Sequence, residues 1–300
     1  MKNMRRTNGF VQPYLMNMKT LQKPQITPIL QSRLKVMLFT NARDESHIKE
    51  WAAHHLLLGF DIVYIFDHKS ASPIKNEFVN FKNRVIVERC EMELPIKIPL
   101  MQVAADIAKS AGAHWFIYLD ADEFLILNTY PNVKKMILDF PFAHSIAINW
   151  LYFGTNFHVK EPEGLILENY TRSQLVLDQH VKTFVKTQSV LKSENPHYYR
   201  MCRGCRLMSI NHEVMDESCL AYNCKNTIEY SKTPAYIAHY AFQSEETYIK
   251  RKIILPTDDG RPMREKSHNI HEDGDFNKYE NTGPLNKYAS RVKQFLQKIG

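Results

Sequence analysis

Cysteine is sparse in this 300-residue chain: five residues, an odd number, which argues against a disulfide-built scaffold and for a reducing compartment. No uncharged apolar run reaches the roughly 18 residues of a membrane-spanning helix. The opening MKNMRRTNGF lacks the continuous apolar stretch of a signal peptide. These absences predict a chain without a transmembrane segment, not secreted and cytoplasmic. Basic residues form no block of five or six and do not interleave with aromatics. The net charge of +7 and the pI near 9.0 therefore suit anionic partners such as nucleotide phosphates, and no nucleic acid is expected. Nor is there an internal repeat.

What is present is an ordinary globular composition, 44% hydrophobic and 11% aromatic, enough to bury a substantial core. Residues 1–33 are polar, carry Pro13, Pro24 and Pro28, show no sustained period, and read as an arm or linker. From Leu34 the pattern changes. LKVMLFT reads as a strand, followed by a helix that Asp44 or Ser46 would cap and Gly59 would end. Its apolar face is Ile48, Trp51, Ala52, His55 and Leu56, with His54 at the edge. DIVYIFD, RVIVERC and SIAINWLYFG are further strands, and a second helix with Leu100, Val103, Ala104, Ile107, Ala108 and Ala111 on one face opens at Pro99. Strands and helices alternating at this spacing predict an α/β fold with a mixed, mostly parallel sheet and helices on both faces. Its body would span 34–255, leaving 256–300 as a tail with an amphipathic helix packed on the body.

The segment WFIYLDADEFLIL, Trp115 to Leu127, runs an apolar strand into Asp120, Asp122 and Glu123. Carboxylates at that place need solvent, a cation or a metal, since burying them unpaired is costly. Strand alternation would put Asp120 and Asp122 on one side, suited to a hard divalent cation, Mg2+ or Mn2+, beside a phosphorylated substrate. A solvated acidic turn or a helix cap would use the same residues. Cys202, Cys205, Cys219 and Cys224, with His212 between, have tolerable zinc spacing without a glycine-rich knuckle, so free thiols and a zinc-containing interaction module both stay open.

Four ordered strings, ARDESHIKEWAAHHLLLGFDIVYIFDHKSAS, WFIYLDADEF, NWLYFGT and HYAFQSEETYIK, resemble those of nucleotide-sugar glycosyltransferases of the GT-A fold, family 2-like and family 92-like, from Leu34 to about Lys252. The resemblance implies a Rossmann-like GT-A domain and transfer from a nucleoside diphosphate sugar, by family habit a UDP-sugar with inversion, to a glycan or other hydroxyl acceptor. In its terms Asp120 and Asp122 are the DXD metal motif, His239 reaches the metal or diphosphate, and Asn41, Arg43, Glu45 and Asp67 meet the nucleotide. Lys250, with Arg251 and Lys252 nearby, would neutralise the diphosphate, and Trp150, Phe153 and Gly154 border the acceptor side. RDE in place of the usual NE, and QSEETY in place of KS-x-EEF, depart from the pattern. Asp122 and Glu123 are candidate catalytic residues, although Asp178, Glu213 and Asp216 would serve equally as the base that activates an acceptor. A nucleotidyl- or phosphotransferase would use the same metal carboxylates.

Overall fold

The computed structural model describes residues 33–216, 221–222, 228–260, 270–271 and 275–299. Among the described residues, nine strands make the central sheet. β1 (Val36–Ala42), β2 (Ile62–His68), β3 (Val85–Cys90) and β4 (Trp115–Tyr118) form its parallel half, in the order β3-β2-β1-β4. Beyond β4 the order continues β8-β6-β12-β5, with β5 (Glu123–Leu127), β6 (Ser145–Tyr152), β8 (Val181–Lys186) and β12 (Ala235–His239). β8 runs antiparallel between β4 and β6, β12 lies parallel to β6, and β11 (Leu207–Ser209) pairs with the start of β6. Two small ribbons complete the strands: β7 (Arg172–Ser173) with β13 (Tyr279–Glu280), and β9 (Val190–Asn195) with β10 (Tyr198–Met201). This is a mixed, mostly parallel sheet of the Rossmann-like GT-A kind.

Burial explains why β1 reads as a continuous apolar run. All seven residues are buried, with Val36 and Leu38 facing one core and Met37 and Phe39 the other, as expected for a parallel strand covered on both sides. Helix α1 (Ile48–Leu57) packs on the first face, and α2 (Lys97–Ser110) on the second. The α1 start differs from expectation. Neither Asp44 nor Ser46 caps it: Asp44 has φ 51° and its Oδ1 accepts from the Ala71 amide at 2.8 Å, closing the loop after β2 instead.

The open edge of β5 is finished by side chains. Trp51 Nε1 donates to the Glu123 carbonyl at 2.7 Å, His54 Nε2 to the Leu125 carbonyl at 2.8 Å, and His55 Nε2 accepts from the Leu125 amide at 3.2 Å. His55 Nδ1 donates to the Trp51 carbonyl at 2.8 Å, which fixes its tautomer. Both imidazoles are fully buried, and burial holds His54 down at about 4, so the pair is neutral and structural. An exposed strand edge is thereby capped without another strand.

Beyond residue 255 the chain returns to the same core. Tyr288 Oη accepts from the Leu127 amide at 3.1 Å, and Val292 of the last helix, Ser290–Ile299, is fully buried against α1. Gly154 marks another contact: a Cβ there would lie 2.7 Å from the Phe276 carbonyl oxygen, so the backbone approach needs glycine. Among the described residues no helix is long and apolar enough to cross a membrane.

A charged knot ties the start of α1 to the loops around it. Glu161 accepts from His47 Nε2 at 3.0 Å, Ser244 Oγ at 2.7 Å and Thr247 Oγ1 at 2.6 Å, while His47 Nδ1 lies 3.6 Å from Glu50. Burial works against the charge of His47, but Glu161 and Glu50 outweigh it and raise it to about 9. The sign follows: this stabilisation is complete below the unfolded value of 6.5 and is lost as pH rises through 9. Urea unfolding across that interval is expected to lose on the order of 2 kcal/mol in the wild type and clearly less in His47→Gln. An identical slope in both proteins would contradict the assignment.

Candidate active site

The chain does not cross the DAD motif as one strand. β4 stops at Tyr118 and β5 begins at Glu123, with a turn between them closed by the Glu123 amide donating to the Asp120 carbonyl at 3.0 Å. Asp120 and Asp122 therefore share the cleft because a turn presents them, and the expected strand alternation is replaced by this geometry. A buried carboxylate sets the turn. Glu123 is 0% exposed, its Oε2 accepts from the Asp120 amide at 2.8 Å, and burial pushes it up to about 8. Glu123 is absent from the cleft lining and positions the turn beside it.

The cleft itself, about 440 Å3, opens along the carboxyl edge of β1, β4, β6 and β12, where open α/β sheets bind ligands. Asn41, next to last in β1, accepts from Lys97 Nζ at 3.0 Å and Tyr118 Oη at 2.9 Å, while donating to Asp258 at 2.6 Å. Both oxygens of Asp120 are taken by ammonium groups, one by Lys97 and the other by Lys182 at 3.0 Å. Burial opposes ionisation of Asp120, but Lys182 and Lys97 hold it well below the usual carboxylate range. Lys182 also donates to the Pro196 carbonyl at 3.2 Å and is only 1% exposed.

Asp122, 2% exposed, is surrounded differently. Arg251 Nη2 lies 3.1 Å and Lys252 Nζ 3.5 Å from Oδ2, and His239 Nε2 is 3.6 Å from Oδ1. Despite burial, Lys252, Arg251 and His239 keep this carboxyl ionised. Arg251 extends to Glu45 at 2.8 Å, and burial raises Glu45 against that attraction. His239 is kept neutral by burial, and its Nδ1 has no hydrogen-bond partner among the described residues.

Those distances test a divalent cation against this donor set. The gap between Asp122 Oδ1 and His239 Nε2, 3.6 Å, is too long for a hydrogen bond and short enough for both atoms to reach one ion about 2.1 Å from each. A neutral imidazole and an ionised carboxylate suit Mn2+ or Mg2+ completed by phosphate oxygens. The pair fits. Asp120, which the resemblance places among the ligands, has Lys97 and Lys182 on its two oxygens, as Asp122 has Arg251 and Lys252 beside it.

Two further expectations are relocated. Asp67 is buried away from the cleft, accepting from the Ile74 amide at 3.1 Å, the Ser70 amide at 3.3 Å and Arg89 at 3.3 Å, and so holds the HKSASP turn. Lys250 lines a shallow apolar groove with Val159, Ile249 and Ile254, and its neighbours Arg251 and Lys252 face the cleft in its place. Asn41, Arg43, Glu45, Asp120, Asp122 and His239 do converge. Unforeseen were Lys97, His197 and Asp258, and the part that Lys182 plays. Lys97 left one trace: a lysine in the first turn of a helix opposes the dipole and calls for an acidic partner. Of the four cysteines, Cys219 and Cys224 lie outside the described residues, and Cys202 and Cys205 place their sulfurs 2.8 Å apart.

No family model and no curated protein matches the chain. Among solved structures, S. aureus TarS is similar over 51% of this chain and 28% of its own, at 15% identity and a TM-score of 0.33. Glucosyl-3-phosphoglycerate synthase from Mycobacterium tuberculosis, in complex with phosphoglyceric acid, is similar over 57% and 64%, at 11% identity and a TM-score of 0.32. A cytidylyltransferase from Leptospira borgpetersenii is similar over 52% and 60%, at 11% identity and 0.29. The chain thus spans under a third of the TarS length. A functional reading stands on the cleft's own residues.

Proposed function

We propose that the protein is a cation-assisted glycosyltransferase that moves a sugar from a nucleoside diphosphate sugar to an acceptor hydroxyl with inversion. One observation carries this reading. The cleft is lined by five basic side chains, Arg43, Lys97, Lys182, Arg251 and Lys252, and five acidic ones, Glu45, Asp120, Asp122, Asp258 and Asp259. A diphosphate entering this balanced site would bring at least two uncompensated negative charges, which one divalent cation held by Asp122 and His239 would offset. When bound there, such a cation supplies charge neutralisation to the departing diphosphate.

The chain's own groups supply the rest. Arg251 and Lys252, now on Asp122, are within reach of the same phosphates and stabilise charge that builds as the glycosidic bond breaks. Asp120, fixed by two lysines, keeps lone pairs free to accept from sugar or ribose hydroxyls. Asn41 and Asp258 suit the nucleoside end beside β1. Holding donor and acceptor together removes much of the entropic barrier to displacement.

The test uses the whole chain with UDP and a panel of sugar nucleotides, UDP-sugars first, with Mn2+ or Mg2+. Saturating UDP at about 100 times its Kd is expected to stabilise the protein by about 2.7 kcal/mol in a thermal-shift assay, and only when the cation is present. Turnover is expected to release free nucleoside diphosphate. Release of pyrophosphate instead would make the protein a nucleotidyltransferase, and no nucleotide-dependent shift would remove the reading.

A further inference from the structure

Inverting transfer needs a base on the acceptor side, and the acidic lining of the cleft supplies none that is unengaged. Asp120 and Asp122 are held by ammonium and guanidinium groups, Glu45 by Arg251, and Asp258 accepts from Asn41. Asp259 accepts from Thr257 Oγ1 at 2.8 Å. Outside that lining, but stacked on Trp150, which belongs to it, stands an imidazole backed by a carboxylate. Asp178 Oδ1 lies 2.6 Å from His180 Nδ1 and also accepts from the His180 amide at 2.9 Å, which fixes both ring orientation and tautomer. Nε2, turned the other way, has no hydrogen-bond partner among the described residues, and the side chain is 34% exposed.

Position agrees with chemistry. His180 precedes Lys182 by two residues in extended chain, so both project from the same side roughly 7 Å apart, and Lys182 is bonded to Asp120. The His180 ring stacks on Trp150 with centroids 5.0 Å apart and planes 15° apart, and Trp150 in turn lines the cleft 4.4 Å from His239. Other groups facing the ring are His197 at 5.4 Å and Tyr222 at 4.6 Å, with Lys182 behind on its own strand. His197 lines the cleft too, but its Nδ1 is tied to the Val181 carbonyl at 2.9 Å, and burial together with Lys182 lowers it to about 3, too weak for the task.

Resting on the glycosyltransferase reading, we propose that His180, oriented by Asp178, is the general base for the acceptor. As the acceptor oxygen bonds to the anomeric carbon, its proton passes to His180 Nε2, and the carbon–oxygen bond to the diphosphate breaks with its electron pair leaving on the phosphate oxygen. Asp178 stabilises the imidazolium, which returns its proton to solvent. Stacked aromatic rings beside this base form a platform of the kind that receives a sugar face.

Water serves as the acceptor in the test, with UDP-glucose, UDP-galactose and UDP-N-acetylglucosamine plus Mn2+ as probes and UDP release measured from pH 5 to 9. His180→Gln is expected to lower kcat about 100-fold or more with donor KM unchanged and to remove the acidic limb of the pH profile. Asp178→Asn is expected to lower kcat and displace that limb, and it serves if the first variant fails to fold. UDP–Mn2+ thermal stabilisation, retained in both variants, reports intact folding and donor binding. Wild-type kcat and acidic limb in His180→Gln would overturn the dyad, as would a wild type that binds UDP–Mn2+ but releases nothing from any probe. Absence of UDP binding in the wild type would instead defeat the glycosyltransferase reading beneath it.

Discussion

Replacing Asp122 by asparagine is expected to lower turnover about 1,000-fold, the scale on which removing one preorganised charge-stabilising group acts. Two effects add. The pair facing His239 loses its anionic member, so Mn2+ should support UDP binding only at much higher concentration. Arg251 and Lys252 also lose the carboxylate that aims them, though Arg251 keeps Glu45 at 2.8 Å. Folding should survive, because Asp122 sits on a turn whose backbone contacts, including the Tyr240 amide donating to its carbonyl at 2.9 Å, are untouched. Titrating Mn2+ against UDP-dependent thermal stabilisation separates the two effects. Unaltered metal-dependent turnover in this variant would sink the metal assignment.

Lys182→Met should be the most destabilising change in the cleft. Lys182 is 1% exposed, bonded to Asp120, and 3.6 Å from the fully buried Glu123. Taking away one partner of a buried ion pair costs about 3–5 kcal/mol, because the remaining charge keeps its desolvation cost. For a chain of this size that is roughly a 5–8 °C drop in Tm. Lys97 still holds Asp120, so the turn should keep its shape at lower temperature, and activity at 15 °C should fall less than in Asp122→Asn. A Tm within 2 °C of wild type, by calorimetry, would mean that Lys182 is not the buried anchor described, since the expected loss is at least about 3 kcal/mol.

Local pattern revealed the parallel half of the sheet and the buried face of α1, because each depends on a period of two or 3.6 within a short window. It also located the acidic edge. Trp115 to Leu127 hid a break, since the residues on both sides of the turn are equally apolar and buried, and only the departure of β5 to pair with β12 separates them. Partners of Asp120 were illegible for a different reason. Lys97 and Lys182 approach from a helix start and from an antiparallel strand inserted between β4 and β6, contacts that no spacing encodes. Asp67 and Lys250 looked equivalent to the true lining residues in the chain; one backbone turn at Ser70 and one helical step at Arg251 moved them aside.

The segment from Arg251 to Asp259 carries two duties at once. Its first residues neutralise Asp122, and Asp258 bonds Asn41 while its carbonyl accepts from the Ile96 amide at 2.8 Å. A recombinant version trimmed at residue 252, where the resemblance fades, would forfeit one wall of the cleft together with the core contacts of Tyr288 and Val292. Any attempt to shorten, graft or swap this domain must carry that strap along as part of it.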